Sequence, residues 1–111
     1  MIRRLPVRLR DKAVLDLNWI AGYIFDSTGS AATAKRYVSR LKARCRKIGD
    51  APSIGRSRED LHPGLRTISF QGTAIICYVI EDERVWITNV FRRGRDFEAV
   101  LRGEAEDAED S

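Results

Sequence analysis

Hydrophobic and polar positions change their period as the chain proceeds. Over residues 2–9 they alternate, with Leu5, Val7 and Leu9 on one side and Arg4, Pro6 and Arg8 on the other, which is the period of a strand. The internal proline lacks an N–H and makes that strand an edge strand or an irregular one. From Asp11 the spacing lengthens to three or four. Val14, Leu17, Ile20 or Ala21, and Ile24 draw an apolar stripe along a helix, with Trp19 and Tyr23 on a second, more exposed line. Asp26-Ser27-Thr28-Gly29 supplies the turn that ends it. Ser30 is placed to cap a second helix, where Ala34, Tyr37, Val38, Leu41, Cys45 and Ile48 recur at helical spacing until Gly49 and Pro52 close the element. So short a connection packs the two helices antiparallel as a hairpin.

Residues 49–65 are rich in Gly, Pro, Ser and charge and read as a loop. Beyond them lie three runs rich in β-branched and aromatic residues, 66–70, 73–80 and 85–91. Gln71-Gly72 and Glu81-Asp82-Glu83-Arg84 provide the turns of an antiparallel meander. The middle run, Ala74-Ile75-Ile76-Cys77-Tyr78-Val79-Ile80, is nearly all apolar and belongs at the centre of the sheet. The expected architecture is α+β, in the order β-α-α-β-β-β, with a twisted antiparallel sheet and an N-terminal helical hairpin packed on one face. Residues 1–103 form a single domain, followed by an acidic, flexible tail over 104–111.

Composition adds limits. A chain of 111 residues, 43% hydrophobic and 32% charged, fits one ordinary soluble globule. No apolar run approaches the roughly 20 residues needed to span a bilayer, and no apolar stretch follows the basic start that would make it a secretion signal. The expectation is a cytoplasmic protein without membrane contact. Cys45 and Cys77 sit in apolar patterns and read as buried, reduced thiols. With one histidine, His62, and no Cys-x-x-Cys, no zinc site can be assembled at ordinary spacing, and neither a metal nor a cofactor is expected.

Charge changes the picture more. The net charge is +4, from 20 Lys and Arg against 16 Asp and Glu. Five of those acids fall in residues 104–111, so the first 103 residues hold 20 bases against 11 acids, a net +9. Sixteen of the 20 bases are arginine, whose planar fork suits carboxylate or phosphate. Such a body expects an acidic partner. The second helix carries Lys35, Arg36, Arg40, Lys42, Arg44, Arg46 and Lys47 on its outer face. Arg66 opens a strand, while Arg92, Arg93 and Arg95 follow the last one, and strand pairing is expected to bring these arginines to one end of the sheet. They suit a phosphate or an acidic peptide; alternatively, Asp96 or Glu98 pairs with them and pins the C-terminal segment. His62 reads as a solvated loop histidine before it reads as a general base, and Glu81, Asp82 and Glu83 as a solubilising turn. No phosphate loop, Ser–His–Asp set or HExxH is present.

Several segments together resemble the ParE branch of the ParE/RelE superfamily of toxins: Asp16-Leu17 through Tyr23-Ile24, Ala31-Ala32, Asp50-Ala51-Pro52-Ser53-Ile54-Gly55-Arg56, Leu61-His62-Pro63-Gly64-Leu65-Arg66, residues 75–79, and Asn89-Val90-Phe91-Arg92-Arg93-Gly94-Arg95-Asp96-Phe97. The likeness covers about residues 3–101, and its specificity lies in the ordered combination of Pro-x-x-Gly-Arg, Pro-Gly-Leu-Arg and Gly-Arg-Asp-Phe. It implies the toxin of a type II toxin–antitoxin system, held in a hetero-oligomer by a cognate ParD-like antitoxin whose acidic, amphipathic C-terminal segment wraps the toxin. Arg36, Tyr37, Arg40 and Arg44 are the residues expected to meet that segment.

ParE-like proteins inhibit DNA gyrase by protein–protein binding; RelE-like relatives cut messenger RNA in the ribosome. RNA cleavage needs a base for the 2′-hydroxyl and an acid for the leaving oxygen. Where RelE-like nucleases use a tyrosine near the C-terminus, the matching aromatic here is Phe97, which has no proton to transfer. No lysine lies beyond Lys47. The resemblance therefore favours a non-enzymatic gyrase inhibitor with Arg66, Arg92, Arg93, Arg95 and Phe97 as the target-binding set, and without direct sequence-specific nucleic-acid binding. One departure points the other way: many ParE-like sequences have histidine where this chain has Arg92. The alternative is a ribosome-dependent endoribonuclease with arginines on phosphate and His62 or Tyr78 moving the proton. A third is a relative that binds a regulator and is no longer toxic.

Overall fold

The computed structural model describes residues 4–106. The elements are β1 (Val7–Leu9), α1 (Asp11–Thr28), α2 (Ala31–Ile48), β2 (Arg56–Ser57), β3 (Arg66–Phe70), β4 (Ala74–Glu81), β5 (Arg84–Arg92) and α3 (Phe97–Leu101). They form one five-stranded sheet in the order β1-β5-β4-β3-β2. The expected meander is present in β3, β4 and β5, with β4 at the centre. β1, however, joins β5 in parallel, Val7 opposite Val85 and Leu9 opposite Ile87, so the sheet as a whole is mixed and not purely antiparallel. The parallel return is possible because the entire helical hairpin and meander intervene, giving a long enough crossover.

Both hairpin turns need left-handed backbone. Asp82 and Glu83 take φ of 52° and 57° between the paired Glu81 and Arg84, and Gln71 and Gly72 take 51° and 67° beyond Phe70. Two successive positive φ values match the right-handed twist of the strands they join. At the helices, Ser30 accepts a hydrogen bond from the Thr33 N–H at 3.1 Å, as its position predicted, and Gly29 ends α1 in the left-handed conformation.

The apolar stripe of α1 is rotated from the expected one. Its buried face is Ala13, Asp16, Leu17 and Ile20, whereas Val14 is 41% exposed. A carboxylate stands on the inward face because it has work there: Asp16 Oδ2 accepts the Val90 N–H of β5 at 2.8 Å and its other oxygen pairs with Lys12. On α2 the buried residues are Ala34, Leu41, Cys45 and Ile48, all on the expected stripe.

The sheet is covered on both sides. The main core joins Leu17, Ile20, Leu41, Cys45 and Ile48 of the hairpin to Ile76, Tyr78, Val85, Ile87 and Val90 of the sheet. A second core on the opposite face holds Leu65, Cys77, Val79 and Phe91, closed by Leu61, Phe97, Val100 and Leu101. That explains the unbroken apolar run of β4, which alternates between two buried faces. The two cysteines lie in different cores, free and buried; burial pushes the Cys45 thiol up to about 11 and Cys77 up to about 12. Residues 107–111 of the acidic tail lie outside the described residues. Among the described residues no helix is long and apolar enough to cross a membrane.

Candidate functional site

One irregularity in β5 decides where the arginines go. The register passes from Cys77 opposite Asn89 to Tyr78 opposite Ile87, leaving Thr88 as an extra residue. A bulge of one residue exchanges the two faces of a strand. Val85 and Ile87 before it, and Val90 after it, all face the helical hairpin, while Phe91 turns to the second core. Arg92, two residues beyond Val90, is thereby carried to the helix side. Its guanidinium carbon lies 4.7 Å from the Tyr23 ring centroid and 5.4 Å from that of Trp19. The two rings themselves stack, with centroids 5.4 Å apart and planes 12° from parallel. The guanidinium is attracted to both ring faces, which fixes a long side chain in one place. Arg92 Nη1 donates to the Arg93 carbonyl at 3.2 Å, and Nε is buried without a hydrogen-bond partner among the described residues.

Beside this stack opens a hollow of about 310 Å3. α1 contributes Ile20, Tyr23 and Ile24, α2 contributes Thr33, Arg36, Tyr37 and Arg40, and the β3–β4 turn and β5 add Thr73 and Arg92. Its floor is apolar and its rim carries three guanidinium groups. Tyr37 is held by two contacts: its hydroxyl and that of Thr73 are 2.7 Å apart, and its ring meets Phe70 edge-on at 5.8 Å. Arg40 lies over the same ring at 5.8 Å. A smaller hollow, about 220 Å3, opens beside the same turn and is lined by Ser69, Gly72, Ala74, Ile75, Arg92, Arg93, Gly94, Arg95 and Phe97. Arg92 lines both.

The arginines expected at one end of the sheet thus divide. Arg92, Arg93 and Arg95 gather at the β3–β4 turn, where Arg92 pairs with Ala74. Arg66 pairs with Tyr78, four residues away along the sheet, or about 13 Å at strand rise. There its Nη1 donates to the carbonyls of Ser53 at 3.3 Å and Gly55 at 2.8 Å, anchoring the loop that precedes β2. Phe97 lines the smaller hollow, and its ring centroid lies 5.9 Å from that of Phe91 in the second core. Arg36, Tyr37 and Arg40 share the large hollow, while Arg44 stands a turn further along α2 and is not among its lining residues.

The acids near the cluster are engaged elsewhere. Asp96 caps α3, accepting the Ala99 N–H at 3.1 Å. Glu98 pairs with Arg58, which also grips Asp60 through Nε at 3.0 Å and Nη2 at 2.9 Å and lies over the Phe97 ring at 5.9 Å. That clasp fastens α3 to the loop before β3 through Arg58, while beyond α3 Arg95 Nη2 donates to the Glu106 carbonyl at 3.1 Å. The Arg58 guanidinium holds Asp60 down at about 2.

The proposed proton-transfer residues fare differently from the arginines. Tyr78 is wholly buried; its hydroxyl donates to the Pro52 carbonyl and accepts the Gly55 N–H, at 2.8 and 2.9 Å. Burial raises its pKa, and a Cβ on Gly55 would stand 2.6 Å from that hydroxyl, so the pair is a close structural joint out of reach of a substrate. His62 is exposed on the loop leading into the Arg66 end of β3. Tyr23 and Thr73, which line the hollow, and Trp19, which stacks on Tyr23 beneath Arg92, were not singled out as site residues by the sequence; the one signal was the four-residue spacing of Trp19 and Tyr23.

The family model described as "ParE toxin of type II toxin-antitoxin system, parDE" matches residues 7–97. A solved structure described as "Chromosomal ParDE TA system from P. aeruginosa" shares the fold, with a TM-score of 0.70 at 18% sequence identity, over 79% of this chain and 95% of that one. No curated protein matches. The match to the family model spans every strand, both long helices and Arg92, Arg93 and Arg95, and by it this chain belongs to the ParE toxin family of type II toxin–antitoxin systems.

Proposed function

We propose that this toxin acts by protein–protein binding, inhibiting DNA gyrase, and that a cognate antitoxin neutralises it through an acidic, amphipathic C-terminal segment. The observation that carries the reading is the rim of Arg36, Arg40 and Arg92 around an apolar hollow, continued by Arg93 and Arg95. Fixed guanidinium groups beside apolar surface recognise carboxylates and large side chains together, which is the chemistry of a protein partner. Arg92, Arg93 and Arg95 form the target-binding group. Arg66 and Phe97 serve it indirectly, one through the Pro52–Gly55 loop and the other through the second core. Arg36, Tyr37, Arg40 and, further along α2, Arg44 meet the antitoxin.

Ribosome-dependent RNA cleavage is the second reading, and one feature favours it: two tyrosines, Tyr23 and Tyr37, line the hollow with three arginines. Expression of the toxin without antitoxin separates the two. The first reading expects broken chromosomal DNA and an induced DNA-damage response with intact messages; truncated messages with intact DNA would replace it by the second. The double change Arg93→Ala with Arg95→Ala is expected to reduce toxicity at least tenfold in survivors while circular dichroism stays that of the parent. Full toxicity of that variant would remove these arginines from the target-binding group.

A further inference from the structure

The acidic end of the chain is turned back toward the arginines that follow β5. α3 stops at Gly103, φ 75°, where the Gly103 N–H donates to the Val100 carbonyl at 3.1 Å and the Glu104 N–H to the Ala99 carbonyl at 2.8 Å. That pair of bonds reverses the chain through a left-handed residue, a conformation glycine takes without strain. Residues 104–106 thus run back along α3 toward its first turn, where Arg95 Nη2 donates to the Glu106 carbonyl at 3.1 Å. We propose that residues 107–111, which lie outside the described residues, continue onto the smaller hollow beside the β3–β4 turn. There they set Asp107, Glu109 and Asp110 against Arg93 and Arg95, so that the chain carries its own competitor for these arginines.

Reach, charge and space all favour that seat. Glu106 is already at Arg95, five further residues extend at most about 17 Å, and Arg93 stands on the wall of the same hollow as Arg95. Residues 104–111 hold five acids and no base. Asp60 and Glu98 are held by Arg58, and Asp60 also by Arg102, whereas among the described residues no carboxylate pairs with Arg92 or Arg93. The hollow, about 220 Å3, is open at Gly72, where an added Cβ would meet nothing within 4 Å, so carboxylate side chains have room beside the guanidinium groups. Each exposed ion pair is weak. Attachment, however, holds three acids near the arginines at an effective concentration on the order of millimolar, whatever the amount of protein. For its consequence the proposal rests on the reading that Arg92, Arg93 and Arg95 contact the target: a tail seated on Arg93 and Arg95 screens them until the target displaces it.

The test attaches a nitroxide to residue 111 of the full chain through Ser111→Cys and reads the broadening of backbone amide signals by NMR. Cys45 and Cys77 are buried, with thiols pushed up to about 11 and about 12, so the reagent reaches only the new cysteine. The amides of Gly72, Thr73, Arg93 and Gly94 are expected to lose at least half of their intensity. Those of Asp82, Glu83 and Arg84, at the opposite end of β5 and about 26 Å away at strand rise, are expected to keep theirs. The effect is expected to vanish in a neutral tail, Asp107→Asn with Glu109→Gln and Asp110→Asn, and in Arg93→Ala with Arg95→Ala. It is also expected to vanish in about 1 M salt, where the screening length falls to about 3 Å. Broadening spread evenly over the surface, centred on Lys35 and Lys42 of α2, or unchanged in the neutral tail would overturn the seat. Expressed without antitoxin, the neutral-tail variant is expected to lower survivors at least threefold at equal protein level. Unchanged survival, with toxicity still reduced by Arg93→Ala and Arg95→Ala, would overturn the screening. If that double change also leaves toxicity intact, the screening falls with the target reading, and the seat, read without gyrase, is decided by the broadening alone.

Discussion

Among the described residues Asp16 is the one charged side chain buried in the core, and its position shows how a single residue can set an edge. β1 covers β5 only as far as Ile87, with the Arg10 N–H closing on the Ile87 carbonyl at 2.9 Å. Beyond that point the Val90 N–H would be buried without a strand beside it, and the Asp16 carboxylate takes the place of the missing carbonyl. Removing it strands both a buried donor and the Lys12 ammonium. Asp16→Ala is therefore expected to lower unfolding stability by about 3 kcal/mol, and Asp16→Asn, which keeps an acceptor, by less. Urea denaturation measures both; a loss below about 0.5 kcal/mol for Asp16→Ala would contradict this role. From sequence, Asp16 stood out only as part of the family resemblance, because a hydropathy pattern counts a carboxylate as a surface residue.

At the scale of elements, the long helices and the three meander strands were legible because each has a clear period and turn residues at its ends. β2 and α3 were not, being two and five residues long, too short to show a period. The Arg58 clasp on α3 joins residues 40 apart in sequence, a relation that no local pattern carries. It also predicts a pH dependence. Asp60 is held at about 2, below the ordinary carboxylate value of about 4, by its hydrogen bonds from Arg58. A depressed carboxylate contributes stability that is complete above its unfolded pKa and is lost as pH falls through the folded one. The difference in Tm between the parent and Asp60→Asn is thus expected to be constant above pH 5 and to shrink between pH 4 and pH 2. A difference that does not vary over that interval would show that the clasp does not couple to folding.

For the whole molecule, the placement of the candidate residue Arg92 depends on the bulge at Thr88. The run 85–91 alternates plausibly with no interruption, and an uninterrupted strand would send Arg92 to the face of the second core. One extra residue sends it instead to Trp19 and Tyr23, and so joins the C-terminal end of β5 to the helical hairpin. Candidate residues that fall in two separate sets along the sequence, Arg36, Tyr37 and Arg40 for one partner and Arg92, Arg93 and Arg95 for another, become neighbours around one turn. Arg66 leaves that group for the same geometric reason, since strand register, invisible in composition, places it at the other end of β3. The family and its architecture were therefore readable from residues in order, whereas the shape of the site was not.

The central claim is that this surface binds a protein target and stalls it. Its most direct test is a supercoiling and cleavage assay with purified gyrase, ATP, relaxed plasmid and this toxin, run beside a ribosome-programmed messenger RNA reaction. The account predicts loss of supercoiling with accumulation of protein-linked broken plasmid, intact message, and relief of both gyrase effects by Arg93→Ala with Arg95→Ala. Unaffected gyrase beside cleaved message would contradict it and shift attention to Tyr23 and Tyr37 in the larger hollow.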